Sequence, residues 1–107
     1  MNTAMHTSIT QVFDKDGFFL DPQAWTPELA SDIAAYDGIF LLTPKHWSII
    51  DYMRDHYLKT GSLTVMSHVC RINDLGPHCV NDLFHNRKEA WRISGLPNPG
   101  EEAKSYM

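Results

Sequence analysis

The stretch Thr43-Pro-Lys-His-Trp-Ser-Ile-Ile-Asp-Tyr-Met-Arg-Asp-His-Tyr-Leu-Lys59 decides the fold. Thr43 is a natural N-cap, and Pro44 fits the first helical position, where its missing donor costs nothing. At about 100° per residue, Ile49, Met53, Tyr57, Ile50, Trp47 and Leu58 fall on one half of the helical wheel. Ser48, Asp51, Asp55 and Lys59 fall on the other, with Asp55 and Lys59 at the supportive i,i+4 spacing. Gly61 supplies the C-terminal stop. An apolar stripe this wide predicts a central core helix rather than a partner-binding face.

Upstream, Thr26-Pro27-Glu28 repeats the cap-then-proline start and predicts a helix to about Tyr36, with Leu29, Ile33 and Tyr36 inward and Gly38 as its stop. Ile39–Leu42 is a short apolar link. Before it, Ile9–Phe13 and Phe18–Leu20 are β-prone runs around Asp16-Gly17, which predicts a β-hairpin that must pack on the helices. Trp25 plugs the connector into the core. Downstream, Ser62 or Thr64 caps a third helix through about Ile72, with Val65, Val69 and Ile72 inward. Asn73–Gly76 turns the chain. His78–Phe84 follows as a fourth helix, broken at His85-Asn86, and Arg87–Ser94 as a last short one, stopped by Gly95. The sum is a mainly α fold: a small helical bundle with an N-terminal β-hairpin and a helix-turn-helix-like layout.

A chain of 107 residues makes one domain. Residues 1–8 are predicted to be disordered, 9–95 to form the domain, and 96–107 to form a flexible C-terminal arm with little apolar content. No apolar run approaches membrane-spanning length, and Met1–Ser8 lacks the basic and apolar regions of a signal peptide, so a cytoplasmic protein is expected. Two cysteines, Cys70 and Cys79, are too few for a disulfide scaffold, and in that compartment they are expected to stay thiols.

Net charge is −4, unevenly spread. Residues 1–58 carry eight acids and three bases, whereas residues 59–94 carry three acids and five bases. Arg87, Lys88 and Arg92 form the local basic cluster, around Trp91. A short basic helix bearing an exposed tryptophan is suited to an acidic partner or to phosphates. His78, Asp82 and His85 could share a helix face, but their spacing is unspecific and reads better as a solvated polar surface than a metal site. There is no phosphate-binding glycine loop and no Ser-His-Asp set, so neither a cofactor nor an enzyme is indicated.

Several motifs together resemble one known family. Phe13-Asp-Lys-Asp-Gly-Phe-Phe-Leu20, Trp25, Leu42–Tyr57, Gly61 and Lys88-Glu-Ala-Trp-Arg-Ile-Ser-Gly-Leu-Pro-Asn-Pro99 follow, in order, the pattern of the DsrC/TusE proteins. These are the gamma subunit of dissimilatory sulfite reductase and the sulfur relay protein of tRNA thiolation. The resemblance implies an orthogonal helical bundle with a hairpin and a helix-turn-helix element. It also implies a partner among sulfur-metabolism proteins, a sulfite reductase or a sulfur-carrier complex. Family members present a penultimate cysteine on a C-terminal arm, and many carry a second eleven residues upstream. Only a thiolate can attack and carry sulfane sulfur. Here Trp91 stands at the upstream position and Glu102 at the terminal one. The resemblance therefore implies the fold and a docking surface, made of Arg87, Lys88, Trp91, Arg92, Leu96, Pro97 and Pro99, without catalytic residues. Two alternatives follow: a DNA-binding regulator reading through His78–Phe84, and a relay protein using Cys79. The first is opposed by the absence of Lys and Arg in that helix and by the net charge.

Overall fold

The computed structural model describes residues 13–63 and 65–104, and of Glu102 the backbone alone. Five α-helices form the body: α1 (Pro27–Tyr36), α2 (Pro44–Thr60), α3 (Met66–Ile72), α4 (Cys79–Phe84) and α5 (Arg87–Ile93). A single turn, α6 (Glu101–Lys104), ends the described chain, and a 3-10 turn, Pro22–Ala24, precedes α1.

The two long helices start as the cap-proline pattern predicts. The Thr26 hydroxyl accepts from Leu29 N at 3.1 Å. At α2 the His46 ring reaches back, so that Thr43 N donates to its Nδ1 at 3.0 Å. Gly61 ends α2 at φ +73°, donating to Tyr57 O at 2.7 Å. α2 packs on α3, α4 and α5, and α5 in turn touches α1, α2 and α4. The core between them is Ile33, Ile49, Ile50, Met53, Val69, Phe84, Trp91, Ile93 and Leu96, all fully buried, with Phe18 and Phe19 closing one side. Each side chain of this kind contributes about 1.5–3 kcal/mol by leaving water.

Four inward assignments fail. Tyr36 is 69% exposed, because α1 buries the stripe Ala30, Ile33, Ala34 and the next position of that stripe is Asp37. Val65 and Ile72 are exposed, because α3 buries Met66, Val69 and Cys70 at i, i+3, i+4. Leu58 is 48% exposed, one step around the wheel from the half-buried Tyr57. Val65, not Ser62, is the N-cap of α3, and Thr64 lies outside the described residues.

The N-terminal hairpin is also corrected. Among the described residues it contains no strands, only one antiparallel residue pair, Phe13 with Phe19. The turn itself forms: Asp14 N donates to Phe18 O at 2.7 Å and Gly17 N to Asp14 O at 3.0 Å. The Asp14 carboxylate accepts from the N–H groups of Asp16 and Phe18, both at 2.9 Å. Side-chain bonding inside the turn and the burial of Phe18 and Phe19 on α5 thus replace a strand ladder. Ile9–Val12, half of the expected hairpin, and the predicted disorder of residues 1–8 lie outside the described residues.

The helix-turn-helix expectation is not supported. α4 has six residues, buries Cys79, Val80 and Phe84, and turns Asn81 and Asp82 outward. It has no cation to offer a phosphate backbone. No helix among the described residues is long and apolar enough to cross a membrane.

Candidate functional site

The site is the corner where α5 hands over to the arm. Asn86 caps α5, its side chain accepting from Glu89 N at 2.8 Å. At the other end Gly95 turns the chain at φ +70°, pressed so closely on Trp25 that a Cβ would collide with the indole. Both its backbone angle and its neighbour therefore require glycine.

The carbonyls left over at the end of α5 find donors in distant side chains. Trp25 Nε1 donates to Ile93 O at 2.9 Å. Arg54 lies over the Trp25 ring at 4.1 Å and donates to Ser94 O at 3.0 Å, to Gly95 O at 3.4 Å and to Pro22 O at 3.2 Å. Burial draws the Arg54 guanidinium below its ordinary pKa, against the pull of Asp51, and the ring face and carbonyls hold the cation.

Arg92 makes a second tie. Its Nε donates to Gly17 O at 2.7 Å and its Nη1 to Asp37 Oδ2 at 3.0 Å, while its guanidinium covers Phe13 at 4.6 Å. It joins the N-terminal turn and the end of α1 to α5. Glu89 is nearly buried beside it. Burial pushes its carboxyl upward in pKa and Asp37 adds to that, while His85, 3.0 Å away, and Arg92 oppose.

The arm then runs along the N-terminal turn. Leu96 is fully buried, and its carbonyl accepts from Phe19 N at 3.3 Å. Trp91 is also fully buried, edge-on to Tyr57 at 5.6 Å, and its Nε1 donates to Pro97 O at 2.7 Å. Asn98 Nδ2 and Lys104 Nζ both donate to Asp16 Oδ2 at 3.2 Å, and Lys104 also pairs with Glu101 at 3.0 Å. Those two bonds, to Glu101 first and Asp16 second, raise the Lys104 pKa. An open groove of about 710 Å³ remains between turn, arm and α5, lined by Lys15, Asp16, Phe18, Asn86, Lys88 and Lys104. Among the described lining residues Asp16 is the one carboxylate and it faces Lys104, so that lining carries net positive charge on an acidic protein.

The expected docking residues divide on this geometry. Arg87 and Lys88 are exposed, and Lys88 lies 5.2 Å from the Phe18 ring centroid. Pro97 and Pro99 are half-exposed along the arm. Trp91 and Leu96 are core residues, so the exposed tryptophan is corrected: its indole N–H is used by Pro97 and its ring fills the space beneath the arm. Arg92 is committed to Gly17 and Asp37. Asp16 was read only as part of the hairpin turn, and Lys15, Arg54 and Lys104 were not singled out in the sequence. Asp16, Arg54 and Lys104 have partners far along the chain that no local pattern marks.

The cysteines are corrected too. Cys70 and Cys79 form a disulfide, S–S 2.05 Å, between α3 and α4, and their residues are 1% and 5% exposed. Cys79 is therefore not a free thiol poised for relay. His78, Asp82 and His85 do not converge, and no group of three potential metal ligands is found among the described residues.

A family model described as DsrC like protein matches residues 6–101. The chain belongs to the DsrC-like family. It is 32% identical over 88 residues to the dissimilatory-type sulfite reductase subunit gamma of Nitratidesulfovibrio vulgaris, covering 80% of this chain and 84% of that one. It is 30% identical over 95 residues to the sulfurtransferase TusE of Escherichia coli K12, covering 80% and 86%. The fold agrees with the crystal structure of the oxidized gamma subunit of dissimilatory sulfite reductase (DsrC) from Archaeoglobus fulgidus, at TM-score 0.72 and 32% identity over 83% of this chain and 89% of that one. The solution structure of the Pyrobaculum aerophilum DsrC/gamma subunit, at 24% identity and TM-score 0.70, shares the fold.

Proposed function

We propose that this chain is a docking protein of sulfur metabolism that carries no sulfur on its C-terminal arm. It binds a partner of the sulfite reductase or sulfur-carrier kind and regulates it by holding a site that a thiol-bearing relative would use. The observation that carries this reading is the Trp91–Pro97 bond. By resemblance, Trp91 stands where many relatives have a cysteine that can pair with the arm. An indole cannot form a disulfide, and here it fastens the arm by a hydrogen bond instead. Glu102, at the other thiol position, offers a carboxylate that cannot form a persulfide. The partner's contact falls on Arg87, Lys88 and the half-exposed Pro97 and Pro99, with Lys15 and Lys104 across the groove. Trp91, Leu96 and Arg92 position that surface from beneath.

The test uses purified dissimilatory sulfite reductase and a sulfur-carrier complex as probes. Binding to one of them is expected at low salt, weakening as salt rises, with Lys15→Glu/Lys88→Glu reducing affinity by about tenfold or more. Added to sulfite reductase turnover alongside a thiol-bearing relative, the chain is expected to slow it. If it binds neither probe, or sustains turnover in place of the relative, the reading is wrong.

A further inference from the structure

The cleft between the C-terminal half of α2 and α3 takes no part in that docking surface. Its walls are His56, Leu63, Val65, Ser67, His68 and Arg71, around a volume of about 380 Å³. That lies within the range of small-molecule sites. None of these residues lines the groove between turn, arm and α5.

Tyr52 of α2, half-buried, sets the two imidazoles. The His56 ring stacks on it at 6.3 Å, 10° from parallel, and the His68 ring meets it at 6.1 Å and 62°. One turn along α3, Arg71 Nη2 lies 3.2 Å from His68 Nδ1. A guanidinium can only donate, so Nδ1 accepts and the ring proton sits on Nε2. Among the described residues no carboxylate pairs with Arg71, and His68 Nε2 has no hydrogen-bond partner. The cleft therefore offers a guanidinium with spare N–H groups, an imidazole N–H and the Ser67 hydroxyl, with no acid among its described lining residues. Leu63 and Val65 add an apolar wall, and Val65 is 66% exposed.

This lining selects its ligand. A metal cation is repelled by Arg71, which also occupies His68 Nδ1. Inorganic phosphate would satisfy the donors but leave the apolar wall in water. A single guanidinium matches one anionic group rather than two. We propose that the cleft binds a small organic monocarboxylate with a branched aliphatic body. The carboxylate accepts from Arg71 and from His68 Nε2–H, and the aliphatic end covers Leu63 and Val65. Tyr52 and His56 act as positioning residues behind them. This ligand site is independent of the docking reading, and the Lys15→Glu/Lys88→Glu protein separates the two.

The experiment titrates full-length protein with isocaproate at low salt and follows backbone amide shifts by NMR. The shifts are expected to saturate in the millimolar range and to centre on residues 52–72. Isocaproamide, the neutral isostere, is expected to bind about tenfold more weakly or worse, and acetate and inorganic phosphate several-fold more weakly. Arg71→Gln is expected to weaken isocaproate about tenfold, with Arg71→Lys recovering part of the loss. His68→Phe keeps a ring against Tyr52 without the donor, and Val65→Ser keeps the α3 cap position filled without the apolar contact. Each is expected to weaken binding several-fold, whereas Lys15→Glu/Lys88→Glu leaves it unchanged. Amide shifts outside residues 52–72 report that each variant is folded. No saturation below about 20 mM, amide or phosphate binding as tightly as the acid, or unchanged affinity in Arg71→Gln would each overturn the proposal.

Discussion

The indole N–H of Trp91, on the last helix of the body, donates to the carbonyl of Pro97 on the arm at 2.7 Å. A core side chain thus sets where the arm leaves the domain. Trp91→Phe keeps an aromatic ring, though a smaller one, but leaves that carbonyl without its donor. It is expected to cost about 1–2 kcal/mol in urea unfolding and to speed proteolysis within residues 96–104. Trp91→Ala is expected to cost about 3–5 kcal/mol.

Arg54 serves three carbonyls and a ring face at once. Arg54→Met keeps much of the stem and removes the donors, and a loss of about 2–4 kcal/mol is expected. Arg54→Lys is expected to recover less than half of that, since an ammonium cannot present the planar fork. Thermal melts of the three proteins check both statements.

Reduction of Cys70–Cys79 is expected to lower stability by about 2.5–3 kcal/mol, the loop-entropy value for a ring of this length. The far-UV spectrum at low temperature is expected to stay unchanged, because the turn keeps its backbone hydrogen bonds. Denaturant curves with and without a reductant measure the difference.

The pH dependence has two parts of opposite sign. Burial and then Asp37 raise the Glu89 pKa above its ordinary 4.5 in the folded chain. Its contribution to stability is therefore full below 4.5 and is lost as pH rises through the folded value. Asp14 goes the other way: burial pushes its carboxyl up, but hydrogen bonds from Phe18, Asp16, Asn98 and Gly17 outweigh that and hold it below 3.8. Its contribution is present above 3.8 and is lost as pH falls through the folded value. Glu89→Gln is expected to abolish the loss on the alkaline side and leave the acid side unchanged, as urea midpoints measured across the range will read.

Much of the body was legible in the sequence. The cap-proline starts of α1 and α2, the Gly61 stop and the Ile49-Ile50-Met53 stripe are local signals, and they survive in the structure because tertiary packing agrees with them. The resemblance carried the family. Errors arose where a short apolar run allows more than one partner. Phe18 and Phe19 resemble a strand, yet they are buried against helices after a side-chain-bonded turn. Val65 and Ile72 lie next to the α3 stripe, and seven residues are too few to fix its phase from sequence. His46 carries no inward signal in the sequence, yet its Nε2 lies 2.9 Å from Leu83 O and it is only 7% exposed. Trp91 was misplaced because basic neighbours suggested a surface. Its burial depends on Pro97, Tyr57 and the arm, which no periodicity reports.

The Arg92 tie has a bearing on biosynthesis. Its partners, Gly17 and Asp37, lie 75 and 55 residues earlier in the chain. While the ribosome is still working through α2 and α3, the opening segment has nothing to clasp. It cannot be clasped until α5 has emerged, so closure of this domain comes late relative to the synthesis of α1, α2 and α3.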